Sequence, residues 1–221
     1  MKGSQNQSDR DSSPINRLTE CLDLTRVSAG MQDGRSLNRA YGEWFGSMIT
    51  EACSEPSEPK AILFITLTFE KNGSGRRRRL AEGQAVGELE LDAFNHLYSR
   101  VCRDVVGRNY HRESHRSNLP KVLAFIDAEG SRYWSSMRDA ENLHVHSIWV
   151  VPANRTEQLE RSLRRGSSAL NGNAPIDAID IKPIDHGNGD SILRTVSYSS
   201  KMMGFNSMNL GVADDFRVLP H

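Results

Sequence analysis

Two histidines separated by one residue, His144 and His146, are the residues of this chain best placed to do chemistry. They lie in the segment LHVHSIWVV (143–151), whose apolar density marks a β-strand. Side chains two apart on a strand project from the same face, so the two imidazoles point together while Leu143, Val145 and Trp149 can enter the core. Paired neutral imidazoles can grip one divalent cation if one or two oxygen ligands complete the set. The alternative, two surface histidines on a half-exposed strand, fits a central strand less well, because polar side chains there need a purpose. A carboxylate should come from the neighbouring segment 121–128 and the turn after it. Asp127 and Glu129 share a face by the same alternation, and Glu129 is the preferred third ligand with Asp127 as the alternative. Further along, Tyr198 and Lys201 stand three apart in a helical pattern and therefore share a helix face. A phenol, which titrates near about 10, is a poor nucleophile while protonated. It becomes competent when a metal polarises the phosphate it attacks and a cation such as Lys201 neutralises the developing charge.

The elements that must carry these residues can be read from periodicity. Residues 1–34 are polar, with scattered leucines, and suit a flexible segment. Residues 36–53 place Leu37, Tyr41, Trp44, Phe45, Met48 and Ile49 at helical spacing, and the prolines at 56 and 59 then break the chain. This divides the chain into a flexible segment (1–34), a helix with a Pro-containing linker (35–59) and a catalytic domain (60–221). Within that domain AILFITLTF (61–69) reads as a strand buried on both faces. An amphipathic helix follows over 88–106, then strands over 121–128 and 143–151. A helix starting at 156 carries Leu159 and Leu163, IDAIDIKPI (176–184) alternates like a half-exposed strand, and a last helix covers 191–203. The order β-α-β-β-α-β plus a helix predicts an α+β, ferredoxin-like (RRM-like) antiparallel sheet. Its helices would lie on one face, its first and third strands in the middle, and its closing helix would carry the tyrosine.

Three segments in this order, Phe64-Ile65-Thr66-Leu67-Thr68, His144-Val145-His146 and Tyr198 with Lys201, resemble the three motifs of the HUH endonucleases. The likeness is to the single-tyrosine replication initiators of rolling-circle plasmids, phages and small circular DNA viruses, and it covers about residues 60–205. The strand Ile179-Asp180-Ile181-Lys182-Pro183-Ile184 also looks like bacterial plasmid initiators. The resemblance implies Mg²⁺ or Mn²⁺ held by His144, His146 and Glu129, and attack by Tyr198 on a scissile phosphate. That attack leaves a 5′-phosphotyrosine and a free 3′-hydroxyl able to prime synthesis. It further implies a single-stranded or hairpin DNA origin as substrate, with host helicase and polymerase as partners. The tyrosine follows the histidines, whereas conjugative relaxases place it before them. No G-x-x-x-x-G-K-[ST] loop supplies a fused helicase.

Lys71 and Arg76, Arg77, Arg78 and Arg79 form a basic loop after the first strand and are the leading DNA contacts. The stretch RNYHRESHR (108–116) could line the same channel, and Tyr133 and Trp134 could stack on bases. The 28 basic residues are matched by 28 acidic ones, so any affinity for phosphate rests on local clustering rather than net charge. Three cysteines, Cys21, Cys53 and Cys102, lack metal-like spacing and suit a reducing compartment. The absence of a long apolar run and of a signal-peptide core leads to the expectation of a cytoplasmic protein away from membranes. Two other readings are a single-tyrosine transposase and, in a different class, a non-catalytic ferredoxin-like nucleic-acid-binding module. The second would place aromatics, rather than threonines, on its central strands.

Overall fold

A computed structural model of the chain describes residues 34–54, 58–70, 87–129, 142–168, 175–185, 187, 189–201 and 216–220. Lys71, Arg76 to Arg79, Tyr133, Trp134, Cys21 and the segment 1–33 lie outside the described residues. The elements in chain order are α1 (Gly34–Cys53), β1 (Lys60–Phe69), α2 (Glu88–Val105), β2 (Lys121–Ala128), β3 (Leu143–Pro152), α3 (Thr156–Ser168), β4 (Ile176–Ile184), α4 (Gly189–Ser199) and β5 (Phe216–Leu219). The chain is therefore α+β, built on one sheet of order β4-β1-β3-β2-β5 whose pairings are all antiparallel. The two most apolar strands, β1 and β3, sit side by side inside it, each flanked by a strand on both sides.

Alternation along the strands divides the sheet into two faces of different character. Leu63, Ile65 and Leu67 of β1 and Leu143, Val145, Trp149 and Val151 of β3 face α2 and α3 in the larger core. Trp149 is its centre, fully buried against the rings of Phe94 and Tyr98. Full burial of a side chain of this size contributes roughly 1.5–3 kcal/mol or more. The amphipathic pattern of α2 explains its docking, since Leu91, Phe94, Leu97, Val101 and Cys102 recur on one side of the helix.

The two helices between strands, α2 and α3, share one face as expected, and the opposite face is covered as well, by α1 and α4. Tyr41, Phe45, Ile49 and Ala52 of α1 and Ile192 and Val196 of α4 pack on Ile62, Leu123, Phe125, Ile148 and Val150. The physical reason is that the sheet's second face is itself apolar at this end and needs cover. Phe45 supplies much of it, with its ring edge-on to Phe125 at 4.8 Å and to Phe216 at 5.3 Å between centroids. Thus α1, although it precedes the proline-containing segment, is packed against the sheet.

Two small residues let α1 and α4 approach each other. A Cβ on Gly42 would meet Ser197 Oγ at 3.2 Å, and one on Gly46 would meet Leu193 Cδ2 at 2.7 Å. This close seat fixes α4, and with it Tyr198, over the sheet. The strand β5, which the sequence pattern did not suggest, adds only four residues to the edge of β2. A run this short carries too little alternation to be distinguished from loop. Among the described residues no helix is long and apolar enough to cross a membrane.

Candidate metal centre and tyrosine

The two-faced sheet places a polar row at the open end of the α1/α4 side. Register pairs Thr68 with His144 and His144 with Asp127 across β1, β3 and β2. The next rung pairs Asp180, Thr66, His146 and Phe125 across β4, β1, β3 and β2. Residues paired across an antiparallel sheet share a face, so both histidines, Asp127 and both threonines look toward the same space.

His144, His146 and Asp127 meet there. The two Nε2 atoms are 3.1 Å apart, and each lies 3.2 Å from Asp127 Oδ2. Donors bound at about 2.0–2.2 Å to one ion sit roughly 2.8–3.6 Å from one another in octahedral or tetrahedral arrangements. The triangle has that size, and its two imidazoles and carboxylate could hold a metal ion.

The outer nitrogens are held in a way that prepares the inner ones. His144 Nδ1 lies 3.1 Å from the backbone carbonyl of Asn142, which can only accept, so Nδ1 carries the proton and donates it there. His146 Nδ1 lies 3.1 Å from Thr66 Oγ1, which can accept in the same way. Once Nε2 of each ring gives up its proton, its lone pair points into the triangle, the arrangement that outer partners impose on metal-binding histidines. Thr66 is thus a supporting residue that sequence spacing alone did not single out. Its signal was its place in FITLT, in register with His146.

Charge at the centre is unevenly distributed. Burial works against an ionised Asp127, yet hydrogen bonds from His144, His146 and Lys201 more than offset it and hold the carboxyl far below the usual range. Burial also works against a charged His144, but its contacts with Asp127 and the Asn142 carbonyl push its pKa up. His146 is more deeply placed, and burial together with the neighbouring His144 pulls its pKa down despite Asp127.

The carboxylate that the structure brings to the two histidines is Asp127, not the preferred Glu129. Alternation holds only while the strand continues, and the pairing of β2 with β3 ends at Ala128 opposite Leu143. Glu129 lies beyond it, exposed, and its carboxylate accepts a hydrogen bond from the Asn142 side-chain amide. Asn142 has a positive φ of 54°, a conformation asparagine tolerates better than most residues. Through Asn142, Glu129 anchors the carbonyl that orients His144, so it supports the centre from outside.

Tyr198 and Lys201 reach the same place from the helix side. Tyr198, near the end of α4, is 42 % exposed, and its ring centroid lies 5.2 Å from that of His146 and 6.4 Å from that of Phe64. Lys201, in the turn after α4, puts Nζ 2.6 Å from Asp127 Oδ2 and 4.5 Å from the centroid of the Tyr198 ring. The other described tyrosines are elsewhere. Tyr41 and Tyr98 are buried, Tyr98 donating to the Pro120 carbonyl, and Tyr110 packs against the larger core on the far side of the sheet.

Beside the tyrosine, the edge strand β4 brings Lys182 opposite Phe64 and Asp180 opposite Thr66. Their 2.7 Å ion pair is exposed; the hydrogen bond and charge of Asp180 raise the Lys182 pKa, with a smaller contribution from Tyr198. The basic stretch 108–116 does not join this face. Tyr110, His111, Arg112 and Arg116 line a cleft of about 390 Å³ with Tyr98, Leu119 and Leu219, against the α2 side of the sheet. Compared with known proteins, the chain matches no family model, no curated protein and no solved structure.

Proposed function

We propose that the chain is a metal-dependent endonuclease that nicks single-stranded or hairpin DNA through a tyrosine nucleophile, of the HUH replication-initiator type. The observation that carries this reading is the convergence of Tyr198 and Lys201 with the Asp127–His144–His146 triangle across one face of the sheet. An imidazole–carboxylate centre serves many hydrolases. A half-exposed phenol packed on one of its histidines is the feature that favours strand transfer over hydrolysis. The strand order β4-β1-β3-β2, extended by β5, supports the ferredoxin-like reading of the fold, with α4 as the tyrosine-bearing helix.

Asp127, His144 and His146 would hold the cation, with Mg²⁺ or Mn²⁺ the ions best suited to a centre completed by phosphate oxygens. When bound, such a cation supplies charge stabilisation to a phosphodiester brought against it. Tyr198 Oη attacks phosphorus in line with the leaving 3′ oxygen. The P–Oη bond forms as the P–O3′ bond breaks, the phenolic proton passes to solvent, and the departing oxygen takes up a proton as a free 3′-hydroxyl. One phosphodiester is exchanged for another, so the 5′-phosphotyrosine can be attacked in turn by a 3′-hydroxyl and the strand resealed. Opening of Tyr198 to solvent suits this role, because the substrate must reach the phenol from outside. Initiation of rolling-circle replication of a plasmid or phage, with helicase and polymerase from the host, is the setting in which such a nick is productive.

The reading is tested by incubating the protein with a pool of labelled single-stranded and hairpin oligonucleotides and Mn²⁺, then separating products under denaturing conditions. A protein–DNA adduct that disappears in Tyr198→Phe is expected. Cleavage without an adduct, unaffected by Tyr198→Phe, would assign attack to water and overturn it.

A further inference from the structure

The oxygen a metal at this centre needs is already in use. Asp127 Oδ2 is approached by both Nε2 atoms at 3.2 Å and by Lys201 Nζ at 2.6 Å. The other oxygen, Oδ1, accepts the backbone N–H of Ala128 at 2.8 Å, so the carboxylate cannot turn to give each cation an oxygen of its own without losing that bond. Asp127 has no solvent exposure, and charges held there are screened far less than in water. An ammonium and a divalent cation on one buried oxygen repel each other strongly.

A second station for the ammonium is close at hand. Lys201 lies in a turn rather than in a helix, its four-carbon stem is flexible, and Nζ already stands 4.5 Å from the centroid of the Tyr198 ring. We propose that Lys201 and the divalent metal compete for Asp127 Oδ2, so that metal loading releases the Lys201 ammonium from Asp127 to the Tyr198 side of the site. This rests on the metal centre of the proposed function but not on the nicking reaction. Without metal, Lys201 neutralises the buried carboxylate and ties the turn after the tyrosine-bearing helix to β2. With metal, the same positive charge becomes available beside the phenol, where the phosphate must lie, so loading and preparation of the nucleophile are coupled. A lysine that merely steadies Asp127 as a ligand predicts the opposite sign, since its loss would weaken metal binding.

Titration of the full chain with Mn²⁺, following free Mn²⁺ by electron paramagnetic resonance, separates these. Lys201→Met should bind at least about tenfold more tightly than the unaltered protein, and Lys201→Arg, which keeps the charge, should stay near it. His146→Ala should lose binding. Equal or weaker binding by Lys201→Met, with His146→Ala still defective, overturns the competition and leaves the metal centre standing. Failure of every protein to take up Mn²⁺ removes the metal centre and the inference with it. Because Lys201→Met strands a buried carboxylate and can unfold the protein, the unaltered chain is also tested. Acetylation of Lys201, followed by peptide mass spectrometry, should accelerate several-fold on adding Mg²⁺. An unchanged or slower rate overturns the proposal.

Discussion

The candidate site has two halves held by different means. Asp127, His144 and His146 stand on neighbouring interior strands, where register and alternation fix their directions and a dense apolar layer lies beneath. Tyr198 and Lys201 stand on one helix end and the turn after it, held by the seat of α4 on α1 and by the ion pair to Asp127. The sheet half is a preformed group of side chains that could hold a metal ion. The helix half is poised against it through few contacts and more solvent, as the proposed nucleophile, which would meet a substrate and release it, requires.

That division can be broken from either side. Tyr198→Phe should remove adduct formation by more than about a thousandfold, because no other described tyrosine lies at the centre, while leaving Mn²⁺ affinity nearly unchanged. His146→Ala should reduce Mn²⁺ affinity by more than about a hundredfold and lose the adduct as a consequence. Parallel loss of both properties in both variants would show the halves to be one unit.

A subtler break lies well away from the chemistry. Gly42→Leu puts a branched side chain where Ser197 Oγ stands only 3.2 Å from the position of a Cβ, and so pushes α4 off its seat. Adduct formation should slow about ten- to a hundredfold, as expected for a reacting group displaced by about an ångström, with Mn²⁺ affinity held within about twofold. Measured together, the rate and the affinity locate the damage in the helix half.

The contrast also accounts for what could be read in the sequence. Density and alternation identify β1, β2, β3 and β4, and the His-x-His spacing by itself puts both imidazoles on one face. Choosing Asp127 over Glu129 required knowing where β2 stops, and alternation carries no information about its own end. Cover of the second face by α1 was hidden by the prolines at 56 and 59, which mark a break in helix but not a break in packing. Glycine spacing in α1 acquires meaning only once α4 is known to lie across it. The contact of Lys201 with Asp127 joins residues far apart in the chain and left no local signal.

Proton linkage sharpens the comparison, since it belongs to the sheet half. His144 has a raised pKa, so the stability it contributes without metal is fully present below its ordinary value of 6.5 and is lost as pH rises through the raised value. Metal needs the deprotonated ring, so Mn²⁺ affinity should move oppositely. It should increase by up to about tenfold per pH unit through that window and then level off. Titrations at a series of pH values check the slope, and a flat profile there would remove His144 from the ligand set. Smaller still, Glu129→Gln should alter Mn²⁺ affinity by no more than about threefold, because Glu129 acts only through Asn142. A loss as large as that of His146→Ala would return Glu129 to direct contact with the ion.

The central claim, that the two halves act on one phosphate, is met most directly by finding where DNA becomes attached. After reaction with a single-stranded oligonucleotide and Mn²⁺, followed by nuclease and protease digestion, mass spectrometry should find nucleotide mass on the peptide containing Tyr198, localised to the tyrosine. Cleaved DNA bearing a free 5′-phosphate, with that peptide unmodified, would contradict it.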